Sequence, residues 1–322
     1  MKNSRPFYSF GLILLAAILT FSACKKRRAF NEEDGQTAID NKNVMSENDA
    51  ALSDVNDIIS SRAMLSGRSS STSGIMGITG NACGLTIDSV DINQGSVKLV
   101  YDGTTCRNHN RTGTIKLTVL DHANGKRWKN AGCQLKVEFI KYKVTRGSNG
   151  KSMELNGVQT ITNETGGTWW ELFFNNQPTL AHTIKGTGLD VTFEDGKTAN
   201  YNIHRRITYS RPDDVLTCTA EGIGSLNGLD NLENFGTTRN GLEFTSQVVI
   251  PIKWNLTCGP WAPVQGVVQI KVDERDFLLK AIFSLDTEGD NVFVSISKSC
   301  PYGWKVEWTR RHKTKDKLIP YY

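Results

Sequence analysis

Residues 137–144 read Val137-Glu138-Phe139-Ile140-Lys141-Tyr142-Lys143-Val144. Apolar and charged side chains alternate over part of this stretch, and successive side chains of a β-strand point to opposite faces of its sheet. The stretch therefore predicts a half-buried strand. Dipeptides that favour positive φ follow it and a later run, at Asn149-Gly150 and Asp195-Gly196, and predict tight turns there.

Similar runs extend along most of the chain. They cover residues 86–92, 97–101, 114–120, 135–144, 158–162, 169–174, 189–193, 201–209, 243–250, 264–272, 278–285, 291–296 and 304–308. After residue 80 the chain has 26 threonines but only 8 alanines, which favours strands over helices. No run is followed by a helix long enough for a parallel crossover. We therefore expect an all-β fold, either an antiparallel β-sandwich or an extended meander.

Composition limits the classes of function. The 322 residues include 38 Lys and Arg against 33 Asp and Glu, which gives a net charge of +5, and 38% are hydrophobic. This balance is typical of a globular chain and excludes a disordered or polytopic membrane protein. A dedicated nucleic-acid binder concentrates far more positive charge, so we expect no nucleic-acid partner.

The N-terminus has the order of a bacterial lipoprotein signal peptide. Lys2 and Arg5 precede an apolar segment, residues 7–20, and the small-residue site Phe21-Ser22-Ala23-Cys24 follows. Residues 1–23 are the expected signal peptide, and by resemblance to the lipobox Cys24 becomes the lipid-modified N-terminus. The membrane is then a partner through this lipid. A single-span anchor is the alternative, but the apolar segment is short for a span.

Three further regions follow the signal peptide. Residues 24–80 are polar and contain Ser69-Ser70-Ser71-Thr72-Ser73-Gly74, so we expect a flexible tether with one short helix that begins near residue 46. Residues 81–310 form the expected β-domain. Its two Cys-Gly pairs, Cys83-Gly84 and Cys258-Gly259, are explained equally well by two similar lobes and by coincidence. Residues 311–322 are a basic tail, which we expect to be solvated and frayed.

Six cysteines remain after Cys24, and an even number in an exported chain suggests disulfides. Fifteen pairings are possible. Proximity in the sequence favours Cys83 with Cys106 and Cys258 with Cys300, which leaves Cys133 with Cys218 by elimination. The alternative is that some of these thiols remain free and buried.

Several motifs resemble a widespread family of Bacteroidota outer-membrane lipoproteins whose activity is unknown. The motifs are Ala82-Cys83-Gly84, then residues 97–106 with Asp102-Gly103 and Cys106, then Arg111-Thr112-Gly113 before another strand. The similarity covers most of residues 82–297 and implies an all-β domain. It departs at Glu288-Gly289-Asp290-Asn291, where family members usually have a cysteine.

The same resemblance bears on localisation. Lys25 follows the lipobox cysteine in place of the aspartate typical of inner-membrane retention, so an outer-membrane destination is expected. Members of the family that reach the cell surface usually carry acids directly after the cysteine. Because Lys25-Lys26-Arg27-Arg28 stand there instead, we expect the periplasmic face.

No motif identifies an active site or a cofactor. The five histidines show no zinc spacing, so neither a metal site nor a cofactor is predicted. Ser295 and Lys298 have the Ser-x-x-Lys spacing, but the segment predicts a strand, on which residues three apart face opposite ways. We therefore expect no catalytic residue and no enzymatic activity, and an unrecognised hydrolase with paired carboxylates is the alternative.

Tryptophan is the one residue type that suggests binding. Adjacent Trp169 and Trp170 on a strand would send one ring to each face, and an exposed ring can stack on a sugar. Core packing is the alternative role for these rings. The expected function is a lipid-anchored envelope protein with a non-enzymatic structural or interaction domain, whose partner is an envelope protein. A glycan-binding lipoprotein that uses Trp169 or Trp170 is the second possibility.

Overall fold

The computed structural model describes residues 35–61, 83–255, 257–273, 277–292, 300–310 and 313–321. Residues 1–34 lie outside this description. The signal peptide, Cys24 and the Ser69–Gly74 segment therefore fall outside it. No helix of the described ranges has both the length and the apolar character needed to cross a membrane.

The fold is all-β, as the sequence predicted, and includes a helix in the N-terminal region. The helices are α1 (Gln36–Ser61) and α2 (Trp169–Phe174), with 3-10 turns at His122–Asn124 and Pro212–Asp214. The first strands are β1 (Leu85–Asp91), β2 (Ser96–Cys106), β3 (His109–Val119), β4 (Cys133–Arg146), β5 (Ser152–Asn163), β6 (Thr179–Phe193) and β7 (Thr198–Ser210). The remaining strands are β8 (Thr217–Gly222), β9 (Gly224–Leu226), β10 (Leu229–Thr237), β11 (Glu243–Asn255), β12 (Gln265–Val272), β13 (Leu278–Leu285), β14 (Gly303–Arg310) and β15 (Lys313–Pro320).

All fifteen strands belong to one antiparallel sheet. Strands β1 to β7 pair in chain order, and β11 to β15 do the same. Two short strands share the gap between these halves. β10 pairs with β11 and with the first part of β7, whereas β8 pairs with the second part of β7 and the end of β11. The sheet is therefore continuous through its middle.

A series of β-bulges crosses neighbouring strands. Register shifts occur between Thr112 and Thr114, between Phe139 and Tyr142 and between Asn156 and Gln159. A bulge bends its strand and increases the local twist, and bulges in adjacent strands curve the sheet. The shift in β4 explains the opening sequence, because Phe139 and Tyr142 are both buried while the two residues between them are exposed.

Gly113 is required by this bulge. Its φ is +99°, and a Cβ there would lie 2.1 Å from the carbonyl oxygen of Lys141 in the facing bulge. No other residue fits so close to the neighbouring backbone, which is a steric reason for glycine in the Arg-x-Gly motif.

Helix α1 packs against the concave face of the curved sheet. It contacts residues of β2, β3, β5, β7, β10 and β11 through side-chain hydrogen bonds, and eighteen of its residues are buried. The helix that the sequence predicted in this region is therefore present, and it packs on the domain. The helix extends from residue 36 to residue 61 and belongs to the β-domain, because its side chains pair with the strands.

Two expectations about elements are wrong. Residues 169–174 form α2 and not a strand, because Thr168 and Glu171 make a capping box that satisfies the first amide groups of the helix. The C-terminal residues 313–320 form β15, which pairs with β14 along its full length, so they are not a frayed tail. The predicted run 291–296 lies mostly outside the described residues.

Candidate functional site

The densest group of charged side chains lies where α1 meets the sheet. Four ion pairs form this group: Arg239 with Asp40, His109 with Glu47, Arg205 with Asp49 and Arg111 with Asp54. We call them the interior ion pairs. In each pair the helix supplies the carboxylate, and the sheet or one of its loops supplies the arginine or histidine.

Arg205 is at the centre of this contact. Its side chain is fully buried on β7, and its Nη1 atom lies 2.7 Å from Oδ1 of Asp49. Its Nε atom lies 3.6 Å from Glu233 on β10, so one cation faces two acids. Burial raises the pKa of Asp49 to about 6, and the charge of Glu233 adds to this effect, against the lowering influence of Arg205.

Asp54 occupies a similar position toward the end of α1. Its Oδ2 atom accepts a hydrogen bond of 2.6 Å from Arg111 Nη1 and one of 2.9 Å from the hydroxyl of Tyr101. Burial raises the pKa of Asp54 to about 6 despite these two donors. The guanidinium of Arg111 also lies over the Tyr101 ring, 4.8 Å from its centroid, so the three side chains form one cluster.

Glu47 is held from two sides. His109 Nε2 lies 3.2 Å from its Oε1 atom, and the indole N–H of Trp261 donates to Oε2 at 3.0 Å. Burial alone would raise the pKa of Glu47, but these two hydrogen bonds outweigh it and lower the pKa. The Trp261 ring stacks on His109 with centroids 4.4 Å apart, so this histidine-carboxylate pair is covered by an aromatic ring.

Lys42 is the only base of α1. Its Nζ atom donates to the carbonyl oxygen of Trp261 at 3.2 Å, and it lies 5.2 Å from the centroid of the Tyr321 ring. Burial lowers its pKa to about 8. Because this pKa is close to neutral pH, a small change in the surroundings of Lys42 changes the fraction that is protonated, and with it the charge of the α1 contact.

A small cavity of about 50 Å³ lies beside the contact, between α1 and strands β7, β8 and β11. Its lining includes Asp49, Trp169, Tyr209, Cys218 and Trp254. The indole N–H groups of both tryptophans and Oδ2 of Asp49 have no hydrogen-bond partner within the described part of the chain. The volume accommodates a few water molecules, which such unsatisfied polar groups attract.

The structure separates the predicted ligand-stacking pair. Trp169 is only 1% exposed and packs edge-on against Tyr209, with ring centroids 5.7 Å apart. Trp170 is partly exposed, with its ring 4.3 Å from that of Phe174. Because both residues lie on α2, they do not present rings on two faces of a strand, and Trp169 is inaccessible to a sugar.

Two of the three predicted disulfides form. Cys83 pairs with Cys106 and Cys258 with Cys300, as proximity in the sequence predicted. The third pairing is wrong, because Cys133 and Cys218 are both free thiols. Cys133 begins β4 and Cys218 lies on β8, so β5, β6 and β7 separate them. A disulfide requires Cα atoms within about 7 Å, which is little more than one strand spacing.

Sequence reasoning missed the interior ion pairs, although two signals pointed to them. Asp40, Glu47 and Asp54 are spaced seven residues apart, which places three acids on one side of a helix. Arg205 stands between Ile203 and Ile207 on the apolar face of β7. A charged residue at an inward position of a strand indicates a buried partner.

No other cluster of donor side chains suggests a cofactor. Across the described ranges, no three His, Cys, Asp or Glu side chains are placed to hold a metal ion together. Comparison with protein families, with curated proteins and with solved structures finds no match to this chain. The function must therefore be argued from the geometry alone.

Proposed function

We propose that the protein is a lipid-anchored component of the cell envelope whose β-domain is a non-enzymatic interaction module. Lipidation at Cys24 would attach it to the outer membrane, with the domain on the periplasmic side and an envelope protein as its partner. The lipobox-like sequence supports the anchor, and the interior ion pairs support the role of the domain.

The pairing of the interior charges is the observation that carries the non-enzymatic role. A catalytic carboxylate or histidine has to reach a substrate atom within hydrogen-bond distance. Here Asp49 and Asp54 each meet an arginine of the sheet and Glu47 meets His109, all at 3.2 Å or less, and all three carboxylates face the interior. Their chemistry is used to position α1, which is a structural task.

Chain length limits how far the domain can lie from its proposed anchor. Ten residues, 25–34, separate Cys24 from Gly35, the first residue that the structure describes. Even a fully extended chain of this length spans at most about 40 Å. Since α1 belongs to the domain, this short segment and not residues 24–80 is the covalent link to the lipid. A partner would therefore be met close to the membrane surface.

Replacement of the lipidated cysteine tests the anchor. Cys24→Ala should leave uncleaved precursor or release the protein from the membrane fraction, and it should abolish labelling by an alkyne analogue of palmitate. Cys218→Ala is the matched control, because it removes a thiol from the domain without touching the lipobox. Normal processing and membrane retention of Cys24→Ala would contradict the anchor.

A turnover assay tests the non-enzymatic role separately. The purified protein is incubated with envelope polysaccharides, peptidoglycan fragments and aryl esters, and product is measured by mass spectrometry. We expect no turnover above a heat-denatured control. Turnover that disappears in Glu47→Gln would show that the His109–Glu47 pair is catalytic and would overturn this part of the proposal.

A further inference from the structure

The last strand of the sheet carries its positive charges on one face. β15 begins Lys313-Thr314-Lys315-Asp316-Lys317, and these five residues are all exposed. Successive side chains of a strand point to opposite faces, so the three lysines share one face and the acid lies on the other. We call Lys313, Lys315 and Lys317 the lysine row. It lies at the edge of the sheet, because β15 ends the strand order.

The pairing of β15 with β14 shows which face carries the lysine row. Lys315 stands opposite Trp308 and Lys317 opposite Val306, both of which are buried. Side chains that are directly opposite on paired strands lie on the same face. The lysine row is therefore at the rim of the inner face of the sheet. Lys313 stands opposite Arg310, which adds a cation from β14 to the same face.

The chain enters the domain beside the lysine row. Gly35 is buried, and a Cβ on it would lie 3.3 Å from Cζ3 of Trp308 and 3.6 Å from Cγ1 of Val306. These are the two residues that face Lys315 and Lys317 across the strand pair. Only ten residues separate Gly35 from Cys24. Of the described residues, those around the lysine row are thus among the nearest to the start of the proposed link to the lipid.

The two edges of the sheet differ in charge. The opposite edge strand, β1, contains Asp88 and Asp91 and no basic residue. An anionic surface attracts the β15 edge of such a molecule and repels the β1 edge. Charged side chains at an edge also prevent edge-to-edge pairing of sheets. That purpose is served by either sign of charge, so it does not explain why the bases are on β15 and the acids on β1.

We infer that the lysine row is a docking surface for anionic phospholipid headgroups, and that the β14–β15 rim of the sheet faces the membrane. The inference rests on the proposed lipid anchor, which would hold this rim within reach of the surface. A lysine at an anionic surface strengthens binding by about fivefold. The attraction extends over about 8 Å at physiological salt, so the row has to lie directly against the headgroups.

Lysine labelling on vesicles tests the inference. The full lipidated protein is inserted into preformed vesicles of phosphatidylethanolamine, phosphatidylglycerol and cardiolipin, or into neutral vesicles of phosphatidylcholine. After a short pulse of an amine-acetylating reagent, mass spectrometry measures the acetylation of each lysine. We expect the lysine row to react about fivefold more slowly on the anionic vesicles. The difference should disappear in about 1 M NaCl, which shortens the range of the attraction to about 3 Å.

Lys141 and Lys143 are the internal controls. Both are exposed on β4, which is far from β15 in the strand order. They should be acetylated at the same rate on both kinds of vesicle. The inference is overturned if the lysine row also reacts equally on both, or if Lys141 and Lys143 are slowed as much as the row.

A variant without the lysine row gives a readout that does not depend on the reactivity of lysine. Lys313→Gln, Lys315→Gln and Lys317→Gln are combined in one full-length chain, and a control chain combines Lys141→Gln with Lys143→Gln. In wild type and in the control chain, the backbone amides of β15 should exchange hydrogen more slowly on anionic than on neutral vesicles. The row variant should exchange equally fast on both. If the row variant keeps the slower exchange, the lysines are not the docking surface.

Failure of the lipid anchor is recognised separately. The anchored protein sediments with the neutral vesicles, to which the lysine row has no electrostatic attraction. If the protein stays in the supernatant there, the anchor proposal fails, and the labelling is measured with anionic vesicles in excess. Slower acetylation of the lysine row then still supports the docking surface, and equal acetylation overturns it.

Discussion

Helix α1 and the strands that surround it are buried in opposite ways. The strands bury one apolar face, as β7 does with Ala199, Tyr201, Ile203 and Ile207, and expose the other. The helix buries charged and amide side chains, including Asp54, Asn48 and Glu47, each exposed by 2% or less. The strands are therefore held by the hydrophobic effect, which needs no particular partner. The helix also buries apolar side chains, among them Val44, Leu52 and Ile59, but it adds polar pairs, and each of these needs one particular partner.

This difference explains why the two regions depend differently on single residues. An apolar contact that loses a methylene group keeps its other contacts, whereas a buried ion that loses its counter-ion is left uncompensated. Only a few substitutions at the helix contact, those that remove one member of an ion pair, should consequently cause a large loss of stability. Substitutions at single ion pairs test this difference between the helix and the strands. The largest loss of stability is expected at Arg205, because this cation faces two acids.

Arg205→Leu should destabilise the fold by about 3–5 kcal/mol, because it leaves Asp49 and Glu233 buried without their cation. Urea unfolding followed by tryptophan fluorescence measures this change. Arg206→Leu is the matched control on the same strand. Its side chain is 43% exposed and pairs with Glu164 at the surface, so a loss of about 1 kcal/mol or less is expected.

Equal effects of the two substitutions would show that burial of the charge does not matter and would remove the distinction between helix and strands. A small loss of stability in Arg205→Leu combined with a large loss in Arg206→Leu would mean that the exposed ion pair contributes more than the buried one.

The strands could be predicted from the sequence because the patterns that indicate them lie within a few consecutive residues. Alternation over part of residues 137–144 identified β4, whereas the bulge between Phe139 and Tyr142 was found only in the structure. Disulfides between cysteines 23 and 42 residues apart were also predictable from proximity. The short strands β8 to β10 were missed because their apolar residues are few.

The location of α1 could not be predicted because it depends on partners that lie far away in the sequence. Apolar spacing at Ala51, Val55 and Ile58 indicated a helix, but Asp49 and Asp54 are typical of a solvated face. Their partners, Arg205 and Arg111, lie 156 and 57 residues further along the chain. Nothing in one sequence links such residues, so a buried acidic helix has the same pattern as an exposed one.

A buried histidine on the strand side offers a pH test of the comparison. His182 on β6 is 1% exposed and packs edge-on against Trp128 and Tyr209. Burial lowers its pKa from 6.5 to about 3. Between these values the unfolded chain binds a proton that the folded chain does not, so stability falls as the pH falls, by at most about 1.4 kcal/mol per pH unit.

His182→Phe should remove this contribution while keeping the aromatic contacts. The difference between variant and wild type in unfolding free energy, measured from pH 7 to pH 4, isolates His182 from the acids of the interior ion pairs. His204→Phe is the control, because His204 is partly exposed on the neighbouring strand. If the His182 variant shows the same pH dependence as wild type, the ring is accessible to water in the folded state.

The smallest effect is expected when a polar contact of α1 is converted into an apolar one. Gln159 on β5 donates to Asn48 Oδ1 at 2.6 Å, and both residues are fully buried. Gln159→Met alone should cost about 1–3 kcal/mol, because it leaves the Asn48 amide without its partner. Adding Asn48→Leu removes the orphaned amide, so the double variant should lie within about 1 kcal/mol of wild type.

A double variant that loses the sum of both single effects would mean that the hydrogen bond does not couple the two residues. Near-neutrality, by contrast, would mean that the polar character of α1 is not needed for stability, and it would leave the positioning of the helix as the reason for that character.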